Sequence, residues 1–250
     1  MHLRSRTLST GVRNRDVPWD AFDPDEYFRH NYSHLRPDDA QIIDILLAFF
    51  ADQPAGVTVL DVGTGSNLYP VLVALPYASR VDVMEPSAAG RAWLREHTSA
   101  PPYPWAHLWA YMTDVSPTHA VADVEQLLAD RLTVVDGSVF DLPPSAWDVV
   151  SMHFVAESIT AEAAEFRAAV GSFVRAARLG GSFIASFMEN SSGYTVGELR
   201  LPAVPVDAGA VESAFRPWSD DVEVVRIPLG EAPLRAGYSG MLIATGRRTR

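Results

Sequence analysis

Residues 57–72 read VTVLDVGTGSNLYPVL, and the change of period inside this stretch decides the fold. Val57–Val62 is a short β-branched run, the pattern of a buried strand, and Gly63-Thr64-Gly65 ends it in a tight turn. A helical segment is expected over Tyr69–Leu75. The alternation then recurs, with strands expected at Arg80–Met84, Leu132–Val135, Trp147–Met152 and Ser182–Phe187. Between them lie helical Thr118–Ala129 and the amphipathic Ala161–Arg178, which Gly180-Gly181 is expected to terminate. Two late strands, Val222–Ile227 and Ser239–Thr245, complete the set. Strands alternating with helices imply parallel crossovers, hence an α/β fold with a mostly parallel seven-stranded sheet and helices on both faces.

Upstream of the quoted stretch the pattern is helical. Asp23 reads as an N-cap with Pro24 at the first position of a helix over Pro24–Tyr32. A second helix starts near Pro37 and carries Ile42, Ile43, Leu46, Leu47, Phe49 and Phe50 at three-to-four spacing. Residues 18–55 are therefore expected to form an N-terminal helical lid, and residues 56–250 the ligand-binding domain, with a cap segment at about 190–215. Residues 1–17 show no periodicity and read as a flexible arm dotted with Arg4, Arg6, Arg13 and Arg15; no apolar run follows to make a secretory signal.

Composition narrows the chemistry. A chain of 250 residues, 48% hydrophobic and 20% charged, suits one globular domain with a lid. Zero cysteines exclude thiolate metal sites, disulfides and cysteine nucleophiles. All twenty cations are arginine, so Schiff-base and P-loop lysine chemistry is excluded too. A net charge of −11 argues against nucleic acid, and no apolar run is long enough to span a bilayer. The expectation is a cytoplasmic monomer acting on a small molecule, without nucleic acid, membrane or metal.

In such sheets ligands bind beyond the carboxyl ends of the strands. There the sequence places Asp61, Gly63, Thr64 and Gly65, with Leu68 where a dinucleotide-binding turn wants its third glycine. Glu85 ends the second strand, followed by Pro86; a carboxylate there accepts both ribose hydroxyls. Asp136-Gly137-Ser138-Val139 follows the third strand and suits a purine edge. Met152 and His153 end the fourth, with Glu157 beyond. Together these residues describe an adenosine site whose ligand has a charged tail and no phosphate, which suggests S-adenosylmethionine, with S-adenosylhomocysteine as product. An oxidoreductase using the same glycine turn is the alternative that Leu68 disfavours.

The chain also resembles the small-molecule N-methyltransferases of the nicotinamide, phenylethanolamine and thioether/indolethylamine group. The likeness runs from about Phe22 to Arg247. It rests on FDPDEYFRHNY (22–32), LDVGTGSNLYPVL (60–72), Gly180-Gly181 with SSGYTVGE (191–198), and the stretch from Leu199 to Phe215. The resemblance implies a Rossmann-like class I methyltransferase whose helical lid closes over S-adenosylmethionine. It implies Tyr27 near the acceptor, Tyr32 near the methionine carboxylate, and Gly63, Thr64 and Tyr69 around the methionine tail. Glu85 stands where the family usually has Asp, Pro86 where an aromatic residue is common, and Gly90 at a polar position. The acid facing the adenine amine matches best at Ser138, or at Asp136 with a slip.

The family's acceptor-holding acids do not align cleanly. Phe187 stands just past strand five, Glu189 two residues on, and Ser191 and Tyr194 at acceptor-facing positions. An amine acceptor needs its proton removed, for which Glu189 or Glu157 is expected; a phenol would call on His153. The aromatic insert from Pro101 to Met112, with Tyr103, Trp105, Trp109 and Tyr111, is either an apolar wall for a flat acceptor or satellite packing. N-methylation, O-methylation of a small phenol and adenosylmethionine binding without turnover stay open at this stage.

Overall fold

The apolar runs become β1 (Val57–Val62), β2 (Ala78–Met84), β3 (Leu132–Val135), β4 (Trp147–His153) and β5 (Ala177–Glu189) of a computed structural model that describes residues 11–231 and 233–250. β6 (Tyr194–Val196) and β7 (Leu199–Leu201) form a separate hairpin, and β8 (Glu223–Pro228) and β9 (Gly240–Arg247) finish the main sheet. The sheet order is β3-β2-β1-β4-β5-β9-β8. β1 to β5 pair in parallel; β9 runs antiparallel to both β5 and β8. Strand order reverses between β1 and β4, so a crevice opens at their carboxyl ends.

Strand alternation sorts side chains to two faces. Val59, Val81, Val149, Ile184 and Ile243 share one core with α2 (Pro37–Ala51), α3 (Tyr69–Ala74), α4 (Ala88–Ser99) and α5 (Ala106–Val115). Leu60, Val150, Phe183, Phe187 and Leu242 share the other with α8 (Ala163–Ala176) and α9 (Ala208–Phe215). On α2 the stripe Ile42, Ile43, Leu46 and Phe50 is wholly buried, each side chain contributing about 1.5–3 kcal/mol of transfer free energy. α1 (Pro24–Asn31) begins as its sequence dictates, the Asp23 carboxylate accepting from the Glu26 N–H with Pro24 in the first turn. Among the described residues no helix is long and apolar enough to cross a membrane.

Three expectations are corrected, and one open alternative, the aromatic insert, is decided. Gly180-Gly181 does not end the long helix: α8 stops at Ala176, and Gly180, at φ 77°, lies in the irregular start of β5, its N–H donating to Arg248 O. Thr118–Ala129 is two helices, α6 (Pro117–Ala120) and α7 (Val124–Arg131), because Asp123 caps a fresh start by accepting from Gln126 N–H. The aromatic insert is packing. Trp105 is buried with its indole N–H donating to His97 O, Tyr103 stacks on it at 4.4 Å, and all four aromatic side chains belong to the α2–α5 core. Finally, residues 11–17 are tied down, while Arg4 and Arg6 of the expected arm lie outside the described residues. Val12 O accepts from Ala161 N–H and Thr160 Oγ1, Asn14 N–H donates to Glu165, and Val17 is buried against Val196 and Leu201 of the hairpin.

Candidate functional site

Two φ angles that only glycine adopts freely, 66° at Gly63 and 52° at Gly65, bend the chain sharply off β1. Gly63 is doubly required: a Cβ there would sit 2.8 Å from Val155 Cγ2. Beneath the turn, Thr64 Oγ1 donates to Asp61, whose burial pushes its carboxyl up to about 7. Beside it, Gly65 N–H donates to Glu85 Oε2 (3.1 Å) and Ser87 N–H to Oε1 (2.9 Å). Burial raises the Glu85 pKa, and these amides oppose that rise by favouring the charged form. The extra methylene of Glu85 has room because Gly90 lacks a Cβ; one built there would stand 2.8 Å from Glu85 Cγ.

Two cavities meet at these strand tips. The first, about 100 Å³, runs along the glycine turn past Glu85 to Gly137, Ser138 and Val139. The second, about 270 Å³, lies under α1, the start of α2 and the segment before β9. Tyr27, Tyr32, Phe154 and Tyr194 line both and form their common wall. Tyr27 stands edge-on to Tyr32 at 5.9 Å and 6.3 Å from Tyr194. Phe154 holds a φ of 58°, a strained conformation for a bulky residue, at the point where its ring joins this wall.

Of the residues expected to hold a nucleoside, Tyr27, Tyr32, Gly63, Thr64, Gly65, Glu85, Pro86, Gly137, Ser138, Val139 and His153 line the first cavity. Asp61 lies under the turn, Tyr69 is fully buried edge-on to Tyr32, and Met152 is core; none of these three lines it. Between the two matches for the adenine-facing residue, Ser138 is in the cavity, whereas Asp136 is 72% exposed and paired with Arg91 at 2.8 Å. Asn14, Trp19, Phe22, Asn67, Ser87, Val155 and Ile159 also line it and were not anticipated. Asn67 stood inside the motif that decided the fold. Ser87 caps α4 just past Glu85-Pro86, and the others come from the N-terminal strap (residues 11–23) and the loop after β4.

Polar groups without partners concentrate here. Five buried side-chain nitrogen and oxygen atoms of Asp61, Ser66, Asn67 and Tyr69 have no hydrogen-bond partner among the described residues. Buried polar groups are normally satisfied, and of these four residues Asn67 alone lines the cavity, where its amide suits a polar ligand.

Three expected roles are corrected by strand parity and hydrogen bonding. Phe187 packs with Phe166 and Phe215 in the α8–α9 core, because it follows Phe183 and Ala185 on that face; its neighbour Met188 lines the second cavity. Glu189 shares the Phe187 parity and is held by Arg226 Nε (2.8 and 3.0 Å) and Ser239 Oγ (2.7 Å). The Arg226 hydrogen bonds lower its pKa, so it is no base for an acceptor in that cavity. His153 faces the first cavity, yet Nε2 is 2.8 Å from Ser151 Oγ and Nδ1 2.8 Å from Ser186 Oγ. Burial pushes its imidazole down to about 3, so it stays neutral and fully engaged.

Glu157 is different. It is fully buried, Oε1 accepts from Met188 N–H (2.9 Å) and Ser158 Oγ (3.1 Å), and Oε2 has no partner. Burial pushes its carboxyl up to about 7. Ser158 and Met188, which hold it, both line the second cavity, as does Tyr194. Ser191 is buried behind the wall and accepts from Arg235 Nη2 (3.0 Å). Arg36, Asp39 and Arg235 line the cavity and were not anticipated; their spacing along the chain carries no signal.

The model of the NNMT/PNMT/TEMT family matches residues 12–243. The chain is 24% identical over 246 residues to the phenylethanolamine N-methyltransferase of Sus scrofa, covering 88% of this chain and 85% of that one. Its fold matches the N-methyltransferase NodS of Bradyrhizobium japonicum WM9, solved with S-adenosyl-L-homocysteine, at a TM-score of 0.58 and 12% identity over 90% of this chain and 93% of that one. It likewise matches the Burkholderia thailandensis 1,6-didemethyltoxoflavin-N1-methyltransferase at a TM-score of 0.53 and 17% identity, covering 86% and 80%. The fold is the Rossmann-like class I methyltransferase fold. The chain belongs to the NNMT/PNMT/TEMT family.

Proposed function

We propose that this chain is an S-adenosylmethionine-dependent enzyme that methylates a nitrogen of a small-molecule acceptor. The observation that carries this reading is the pair of cavities sharing one tyrosine-rich wall, with a ribose-type carboxylate on one side and a buried, half-satisfied carboxylate behind the other. S-adenosylmethionine, when bound, supplies a methyl group already activated on a sulfonium sulfur.

The protein's own residues bind, orient and dry the site. Each Glu85 oxygen receives one N–H and keeps a lone pair for a ribose hydroxyl. Gly137, Ser138 and Val139 border the base, and the unpartnered amide of Asn67 suits the amino-acid end, with Asp61 and Thr64 bracing the turn beneath. Burial raises the phenol pKa values of Tyr27 and Tyr194, which therefore remain protonated donors at the shared wall. Alignment of this kind supplies about 7–11 kcal/mol in favourable cases. Glu157, ionising near 7, takes the proton of an amine acceptor through water.

Residues 18–55 and the segment at about 190–215 act as the cover. Supporting this, the N-terminal strap, α1 and the β6–β7 hairpin all contribute to one small apolar cluster over the first cavity. We read the chain as a cytoplasmic monomer with no nucleic-acid partner; the net charge of −11 supports the last of these.

Calorimetry with S-adenosylhomocysteine and with NAD, followed by radiolabelled methyl transfer to pyridines, amines and phenols, tests the reading. The homocysteine nucleoside is expected to bind, NAD not, and label to enter nitrogen acceptors. Label confined to phenols would overturn N-methylation, and binding of NAD alone would overturn the whole assignment.

A further inference from the structure

The acceptor cavity contains a cation that the mechanism above does not use. Arg235, in the segment between β8 and β9, lies over the rings of Tyr194 (5.5 Å) and Tyr238 (5.6 Å). Nη1 donates to Gly193 O (2.6 Å) and Nη2 to the buried Ser191 Oγ (3.0 Å). Two ring faces and two acceptors thus fix the guanidinium plane. Among the described residues no Asp or Glu oxygen lies within ion-pair distance of it, and its remaining N–H donors have no acceptor.

The other charged groups of the cavity explain why this matters. Arg36 has Asp38 at 3.4 Å. Asp39 faces the cavity, and Glu157 lies behind it; burial pushes both carboxyls up to about 7, so neither holds a full negative charge against Arg235 at neutral pH. His30 also lines the cavity and adds no negative charge. An ammonium ion beside Arg235 would meet repulsion. A carboxylate there would receive a planar fork of N–H donors.

The geometry points to Arg235 as a carboxylate receptor, making the methyl acceptor a small molecule that bears a carboxylate. This rests on the methyl-transfer reading and gives it a substrate class. A cavity of about 270 Å³ fits a single ring or a short chain with such a group. A phosphate fits less well, since its second charge would face Asp39 and Glu157 with no second unpaired guanidinium to balance it. Tyr194 is both the platform under Arg235 and part of the wall shared with the nucleoside cavity, so an acceptor anchored by its carboxylate projects its other end toward that wall.

The test uses the full chain saturated with S-adenosylhomocysteine and two probes, benzoate and benzamide, which differ only in charge at the group in question. Ligand-observed NMR titration is expected to show benzoate binding at least about ten-fold tighter, a difference of about 1.4 kcal/mol. Arg235→Gln is expected to abolish that preference while leaving homocysteine-nucleoside affinity within about two-fold. In labelled methyl transfer, nicotinate should outperform nicotinamide, and phenylalanine phenethylamine, with KM rather than kcat carrying the Arg235→Gln defect. Equal binding of benzoate and benzamide by the wild type overturns the proposal without any variant, as does a preference that survives Arg235→Gln. Failure of the wild type to bind S-adenosylhomocysteine would overturn the methyl-transfer reading and this proposal with it, whereas bound nucleoside with no carboxylate preference overturns this proposal alone.

Discussion

The two cavities are built on opposite plans. The nucleoside cavity takes most of its polar contacts from the first residues after β1, β2, β3 and β4, so its shape is fixed by a buried parallel sheet. The acceptor cavity is assembled from α1, the start of α2, the end of β5, the β6–β7 hairpin and the segment before β9, segments that meet only in the folded chain. Sheet tips tolerate little movement and recognise one ligand. A wall gathered from covers and loops is free to change its chemistry without disturbing the sheet.

The sharpest way to break this contrast is at Glu157, the buried carboxylate of the acceptor side. Glu157→Gln should lower kcat about 100-fold with an amine acceptor while leaving S-adenosylhomocysteine affinity intact. In the wild type, activity should rise as pH passes through about 7, because only the ionised carboxylate accepts a proton, and the variant should lose that rise. A variant with an unchanged pH–rate profile would remove Glu157 from proton transfer.

Next in size is Glu85→Ala on the nucleoside side. Loss of charge-assisted hydrogen bonds should weaken S-adenosylhomocysteine binding by about 1.5–3 kcal/mol, measured by calorimetry. Unchanged affinity would detach Glu85 from the ribose. Gly90→Ala sharpens the same point. The new Cβ displaces the Glu85 side chain but lies in a helix at an ordinary φ, so affinity should fall about three- to ten-fold while the melting temperature holds. Adding Glu85→Asp, one methylene shorter, should recover part of the loss; if the double variant binds no better than Gly90→Ala, the steric account fails.

The last effect is read in stability rather than in binding or rate, and concerns Asp39. Its carboxyl is raised from 3.8 to about 7 in the folded chain, so between about pH 4 and pH 7 the folded state holds a proton that the unfolded state has released. Stability from this group therefore falls as pH rises through that window and is flat above it. Asp39→Asn should show a shallower decline in melting temperature from pH 5 to pH 8 than the wild type; parallel curves would contradict the buried-carboxyl assignment.

What could be read from residue order follows the same division. Val57–Val62, the glycine turn and Glu85 are local in sequence, and a strand tip delivers its next residue to the crevice whatever the rest of the chain does. The pair Phe187 and Glu189 shows where such reading stops. Which face of β5 meets the cavity depends on one residue of register, and the side chain that does so is Met188. Arg235 was invisible for a related reason: nothing near Leu234-Arg235-Ala236 signals that its guanidinium will rest on Tyr194, forty-one positions earlier. The corrected ending of α8 is of the same kind. Gly180 has the positive φ that a helix terminus often uses, but pairing with the chain after β9 claimed it instead.

Val17 beside Val196 and Leu201 has a mechanical implication. The strap and the hairpin are two flaps fastened by one greasy button, so lifting either wets the apolar surface of the other. If these flaps are the cover proposed above, spent nucleoside and methylated product are expected to leave through one shared opening event, and a stiffer fastening to slow both departures together.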